Sequence, residues 1–175
     1  MSHFGSGVEY GLHCMLYLVD APAQRPPSAR DLAEFQGVSP TYVAKLFTQL
    51  EKAGLVVSAE GVRGGFRLAR PAREITLLDA VDAIEGAKPL FRCREVRAKC
   101  VLFATAAPPK WATRGTCAIH ASMREAEARM RQSLQGQTLA DLAGRVTPKL
   151  PAAFIKSAES WFHERRAGRQ LKEIT

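Results

Sequence analysis

Apolar positions recur with helical spacing along most of the chain and alternate in only one stretch. Val8, Leu12, Met15, Leu16 and Val19 fall on one face and predict an amphipathic helix over residues 7–20. A proline-bearing loop follows over residues 21–27. Ser28-Ala29-Arg30-Asp31 then reads as the start of a short helix reaching Phe35. The serine oxygen can cover a free backbone N–H there, and the acid favours the positive end of the helix dipole. Gln36-Gly37-Val38 makes a tight turn, and Ser39-Pro40 opens the next helix as a cap followed by proline, whose missing N–H costs little at that position. Val43, Leu46, Phe47 and Leu50 form the buried face of that helix. Residues 55–58 and 66–68 alternate as two short strands around a glycine-rich tip at residues 61–65.

Two helices joined by a tight turn and followed by a β-wing make a winged helix-turn-helix. Thr76 caps a further helix with Leu78, Val81 and Ile84 inward, and Gly86 stops it. Residues 87–116 have no sustained periodicity and hold Pro89, Pro108 and Pro109; loops this long in a small protein are functional or disordered. Ile119, Met123, Ala126, Met130 and Leu134 then trace a narrow seam on a helix otherwise rich in Arg and Glu, a pattern suited to pairing with another copy. Thr138 caps a short helix, and residues 151–166 form a last one carrying Phe154, Ile155, Trp161 and Phe162. The expected fold is mainly α with a small β-wing. A winged helix-turn-helix domain occupies residues 1–86, a cysteine-bearing loop 87–117, a dimerisation helix with C-terminal helices 118–166, and a flexible tail 167–175.

Charge narrows the class of partner. Lys and Arg outnumber Asp and Glu by 25 to 17, a formal charge of +8. Such a balance favours nucleic acid over a neutral partner. A hydrophobic content of 46% over 175 residues supports a core without disulfide staples. No stretch approaches a membrane span and the first residues lack a signal-peptide pattern, so a cytoplasmic protein is expected. Ser39, Thr41, Tyr42 and Lys45 occupy the first turns of the second helix of the pair, from which side chains reach base edges. Arg63 at the wing tip can enter a neighbouring groove, and Gly64 and Gly65 allow close backbone approach. Lys52, Arg67 and Arg30 can hold phosphate. Winged helices also bind proteins, but the net positive charge favours double-stranded DNA.

The cysteines add a second chemistry. Cys93, six residues, Cys100, sixteen residues, Cys117, two residues and His120 do not form the paired CxxC of a zinc ribbon. Thiolates bind zinc or iron–sulfur clusters, and imidazole or carboxylate can complete either, so the residue types alone do not identify a metal. Glu9 and His13, four apart, share one strip of the first helix. Cys14 is turned about a quarter of the way round that helix and reads as a packed core thiol. A cysteine-dependent enzyme with His120 as base is a further reading, but no substrate-binding motif accompanies it. The expectation is therefore a non-enzyme without a small-molecule substrate.

Several runs together carry a resemblance. Glu9-Tyr10-Gly11-Leu12-His13-Cys14, Val38-Ser39-Pro40-Thr41-Tyr42-Val43-Ala44-Lys45, Ala53-Gly54-Leu55-Val56, Gly64-Gly65-Phe66 and Glu74-Ile75-Thr76-Leu77-Leu78-Asp79 resemble the bacterial iron–sulfur winged-helix regulators of the IscR and NsrR family, most nearly its redox-sensing RsrR-like branch. The likeness spans about residues 5–135. It implies a homodimer on a palindromic operator, with a [2Fe–2S] cluster at the dimer interface. The implied ligands are Glu9 and His13 from one subunit and Cys93 and Cys117 from the other. Cys117-Ala118-Ile119-His120 also resembles the Cys-x-x-His end of IscR, which implies instead three cysteines and His120 within one subunit. The resemblance further admits a cluster-loss or nitric-oxide sensor. A cluster-free regulator using its thiols reversibly or binding zinc remains open beside these.

Overall fold

A computed structural model describes residues 3–21, 26–59 and 64–171. The chain divides into two compact units, Met1–Ala87 with Leu134–Thr175, and Lys88–Ser133.

The first unit is built as the apolar periodicity predicts. Helix α1 (Ser6–Val19) buries Gly7, Val8, Gly11, Cys14, Met15 and Leu18. Helix α2 (Ala29–Gln36) starts in a reciprocal capping box. The Ser28 oxygen accepts from the Asp31 N–H, and the Asp31 carboxylate accepts from the Ser28 N–H. Gly37 closes the helix at φ 65°, a left-handed conformation that glycine adopts without a Cβ penalty. Helix α3 (Pro40–Lys52) buries Val43, Leu46, Phe47 and Leu50. Its start differs from the expected cap, because the Ser39 side chain makes no capping bond. The Ser39 carbonyl accepts from the Tyr42 and Val43 N–H groups at 3.1 Å each, and Pro40 removes a donor that would otherwise need a partner.

Strands β1 (Val56–Ser58) and β2 (Phe66–Leu68) pair antiparallel, with Val57 opposite Arg67. Phe66 meets Phe47 edge-on at 4.8 Å, which ties the wing to the core. A 3-10 turn at Ala72–Glu74 leads to α4 (Leu77–Glu85), started by a second capping box of Thr76 and Asp79.

The chain returns to this core through α7 (Leu139–Val146), entered by a third box of Thr138 and Asp141. Two backbone bonds of 2.8 Å, Leu77 N–H to the Gln137 carbonyl and Leu139 N–H to the Ile75 carbonyl, anchor it. The Leu139 side chain is fully buried. After α7, helix α8 (Ala152–Leu171) runs further than the end expected at residue 166. Its Trp161 and Phe162 rings stack around Phe35 of α2 at 5.1 and 4.9 Å, and Tyr17 of α1 joins them. Arg165 lies over Trp161 at 4.9 Å and pairs with Glu34.

The second unit has a different texture. The stretch expected as an irregular loop is broken into 3-10 turns at Val96–Lys99 and Val101–Phe103 and a single helical turn α5 (Lys110–Thr113). Elements this short complete no hydrophobic period, which is why the pattern shows none. Helix α6 (Ala118–Gln135) follows, and no residue on it is buried. Among the described residues, no helix is long and apolar enough to cross a membrane.

Candidate functional site

The recognition surface rests on α3. With Val43, Leu46, Phe47 and Leu50 turned into the core, the helical period leaves Ser39, Thr41 and Lys45 exposed on its opening turns. Ser39 keeps its hydroxyl free of the capping duty the sequence gives it. Tyr42 differs. It is half-buried, meets Tyr10 of α1 edge-on at 6.0 Å, and sets its hydroxyl 2.9 Å from where a Cβ on Gly7 would stand. It braces α3 against α1 as well as standing beside the exposed strip.

On the wing, Arg67 is exposed on β2. Gly64 is half-buried, and Arg63 lies outside the described residues. Gly65 is buried, and a Cβ there would fall 2.2 Å from the Pro26 carbonyl oxygen. The Phe66 N–H donates to the Pro27 carbonyl at 2.8 Å, so the close approach that requires glycine at Gly65 is made by the chain itself. Of the three cations expected at phosphate, Arg30 is engaged with Glu34 at 2.8 Å, one turn along α2.

The metal-ligand candidates fall into two groups. In the first unit, Glu9 and His13 stand exposed one turn apart on α1. Their neighbour Cys14 has no exposed surface, and burial pushes its thiol up to about 12, so it stays protonated and unavailable as a thiolate ligand. In the second unit, one side chain that sequence reasoning overlooked organises the cysteines. Arg97 feels the charges of both Cys117 and Cys93. Its guanidinium is held by the Glu95 carboxylate through bonds of 2.6 and 2.8 Å and by the Gly115 carbonyl at 3.0 Å.

Glu95 sits at φ 48°, an uncommon conformation outside glycine, and its N–H donates to Cys93 Sγ at 3.4 Å. Cys117 stands at the start of α6, where the His120 N–H is the main influence lowering its thiol pKa. The Ile119 N–H and the Arg97 guanidinium act in the same direction, against partial desolvation and the Glu95 charge. His120 lies with its ring 6.2 Å from Phe91 and within electrostatic reach of Glu95. Among the described residues no three histidine, cysteine, aspartate or glutamate side chains converge on a common metal position. Glu95 and Arg97 were legible only as a charge pair two apart between two cysteines, which looks like any solvated loop.

Residues 4–145 match the model of the Rrf2 family, described as an iron-dependent transcriptional regulator. The chain is 33% identical over 133 residues to the protein rrf2 of Nitratidesulfovibrio vulgaris, covering 76% of this chain and 81% of the relative. It is 32% identical over 141 residues to a putative HTH-type regulator of Mycobacterium tuberculosis, covering 81% of each. Among solved structures it is similar to IscR of T. potens, with a TM-score of 0.61 at 22% identity over 89% of this chain and 96% of the other. It is also similar to CymR, the global cysteine regulator of B. subtilis, with a TM-score of 0.59 at 26% identity over 83% and 99%.

Proposed function

Given that the chain belongs to the Rrf2 family of DNA-binding transcriptional regulators, we propose that it senses redox state through a [2Fe–2S] cluster at a homodimer interface. Glu9 and His13 of one subunit and Cys93 and Cys117 of the other are the ligands in this reading. The observation that carries it is the Glu95–Arg97 pair joining the two cysteine segments: the Glu95 N–H donates to Cys93 Sγ, and the Arg97 guanidinium donates to the Gly115 carbonyl two residues before Cys117. The backbone N–H of His120, then that of Ile119 and the Arg97 guanidinium, favour the thiolate of Cys117. Glu9 and His13 supply an exposed oxygen and nitrogen on one helical strip. Those donor types fit a mixed-ligand iron–sulfur site, whose bound cluster supplies one-electron chemistry.

The protein's own part is mechanical. Helix α1 presents Glu9 and His13 outward while it buries Gly7 and Gly11 toward α3 and α4, where Tyr42, Leu46 and Ile84 close on it. A pull on α1 from the partner subunit is therefore passed to α3 through packed side chains. Two recognition helices meeting successive major grooves need to stand about 34–36 Å apart, and a small rotation of either breaks that register. Switching an operator from nearly full to nearly empty requires about 5.5 kcal/mol of differential affinity. Ser39, Thr41, Tyr42 and Lys45, with Arg63 and Gly64 of the wing, are the contacts proposed for a palindromic operator. Family members are named as regulators, and the chain is a regulator and not an enzyme.

Native mass spectrometry of the anaerobically purified protein tests the cofactor. The expected mass is a dimer carrying two irons and two sulfides per subunit, lost in Glu9→Ala and in Cys117→Ser and kept in Cys100→Ser. Retention in Glu9→Ala with loss in Cys100→Ser would move the ligands to the set within one subunit. A second reading, a cluster-free thiol regulator, is favoured by the lowered pKa of Cys117; a metal-free mass with reversible oxidation at that thiol would establish it. On DNA, Lys45→Ala should weaken binding across sequences and lower the salt slope by about one.

A further inference from the structure

A cavity of about 750 Å³ lies within the first unit, between α1, α7 and α8. We propose that it is a binding site for an organic cation with an aromatic or branched aliphatic body. This goes beyond the cluster reading and needs no metal.

The volume lies within the roughly 300–1,000 Å³ range of small-molecule sites. The body of the cavity is apolar, formed by Leu16 and Tyr17 of α1, Val146 of α7, Leu150 between helices, and Ile155 and Phe162 of α8. Apolar walls alone would leave the occupant undefined; the charge around them defines it. Asp20, Glu159 and Glu164 line the cavity, and among the described residues no lysine or arginine does, in a chain whose net charge is +8. Among the described residues none of the three carboxylates is held in an ion pair. His163, also on the wall, adds an imidazole nitrogen that can accept from an ammonium group.

The Tyr17 and Phe162 rings lie 5.6 Å apart and offer aromatic surface to an alkylammonium head. An anion would meet three carboxylates with no lysine or arginine among the described lining residues. A neutral molecule would satisfy the walls but gain nothing from the charge. Tyr17 also meets Phe35 of α2 at 5.1 Å, so an occupant would sit one ring away from the first helix of the helix-turn-helix.

Three probes of one shape separate the possibilities: 4-phenylbutylammonium, 4-phenylbutan-1-ol and 4-phenylbutanoate, titrated calorimetrically into the full-length protein at low, fixed ionic strength. The cation should bind about tenfold more tightly than the alcohol, and the carboxylate should not bind. Ala158→Trp, which fills the cavity from α8, should abolish binding of both. Because that change enters a buried position, the exposed triple variant Asp20→Asn, Glu159→Gln, Glu164→Gln gives an independent reading. It should bring cation and alcohol within about twofold of each other and leave alcohol binding intact. Equal binding of all three probes, no binding of any, or an unchanged preference in the triple variant would each overturn the proposal. None of these variants touches a residue assigned to the cluster.

Discussion

The two units of the chain solve opposite problems with similar material. The first buries Met15, Leu32, Phe47, Leu50, Leu55, Ile75 and Leu139 almost completely and starts three of its helices with capping boxes. The second leaves Val96, Val101, Leu102 and Trp111 between 70% and 82% exposed, and its long helix α6 buries nothing. A soluble chain normally hides such residues or covers them with a partner. The seam of Ile119, Met123, Ala126 and Met130 makes a second copy the partner we propose. One unit carries its own folding energy, then, and in the proposed reading the other carries chemistry on a framework that a second copy completes.

The largest effect should come from breaking the first unit. Phe47→Ala removes a ring with no exposed surface that packs on Phe66, and should cost about 3–5 kcal/mol in urea unfolding. Trp111→Ala removes a comparable ring that is 75% exposed, and should change the stability of a single chain by about 0.5 kcal/mol or less. Equal costs would mean that the two units do not differ in the way described.

The two kinds of thiol sharpen the contrast through pH. Cys14 is held at about 12 in the folded chain, against 9.0 for a free thiol. A raised pKa means that folding favours the protonated thiol. The stability it contributes is complete below pH 9 and declines by about 1.4 kcal/mol per pH unit from there toward 12. Unfolding free energies between pH 8 and 11 should show that extra alkaline slope, and Cys14→Ala should remove it. Cys117 is displaced in the other direction, so iodoacetamide at pH 7 should label it and leave Cys14 untouched until the chain unfolds.

What the sequence discloses follows the same division. In the first unit each apolar face repeats over several turns and each start carries its own chemistry, so α1 to α4 and the wing strands are readable from spacing. Thr138 and Asp141 are a case where the local signal and the structure coincide, and Thr138→Ala should cost about 1 kcal/mol in thermal or urea unfolding. Ser39 looks similar in sequence but makes no capping bond, so Ser39→Ala should leave stability within about 0.5 kcal/mol while weakening operator binding. Position relative to proline separates these two: with Pro40 at the first helical position one orphan donor is already gone. The aromatic meeting of Phe35, Trp161 and Phe162 was hidden because it joins residues more than a hundred positions apart, and periodicity reports only which way each faces. In the second unit the cysteine spacing marks the site, but Arg97 escapes, since its role comes from a reversed backbone at Glu95 that no residue type there requires.

Arg97 gives the smallest effect and the finest test of what makes this loop reactive. The Cys117 thiolate is favoured first by the His120 N–H, with the Ile119 N–H and the guanidinium behind it. The two N–H donors belong to the first turn of α6 and survive any change at Arg97. Arg97→Gln should therefore raise the Cys117 pKa only part of the way back and slow its alkylation at pH 7 by a few-fold, measured on metal-free protein. Added salt should reduce the difference between variant and parent, because the guanidinium acts through an exposed, screened field and the N–H donors act through contact. A loss of about a hundredfold, insensitive to salt, would reverse that order: the loop charge and not the start of α6 would then set the reactivity of the thiol, and the framework of the second unit would matter less than the one ion pair it displays.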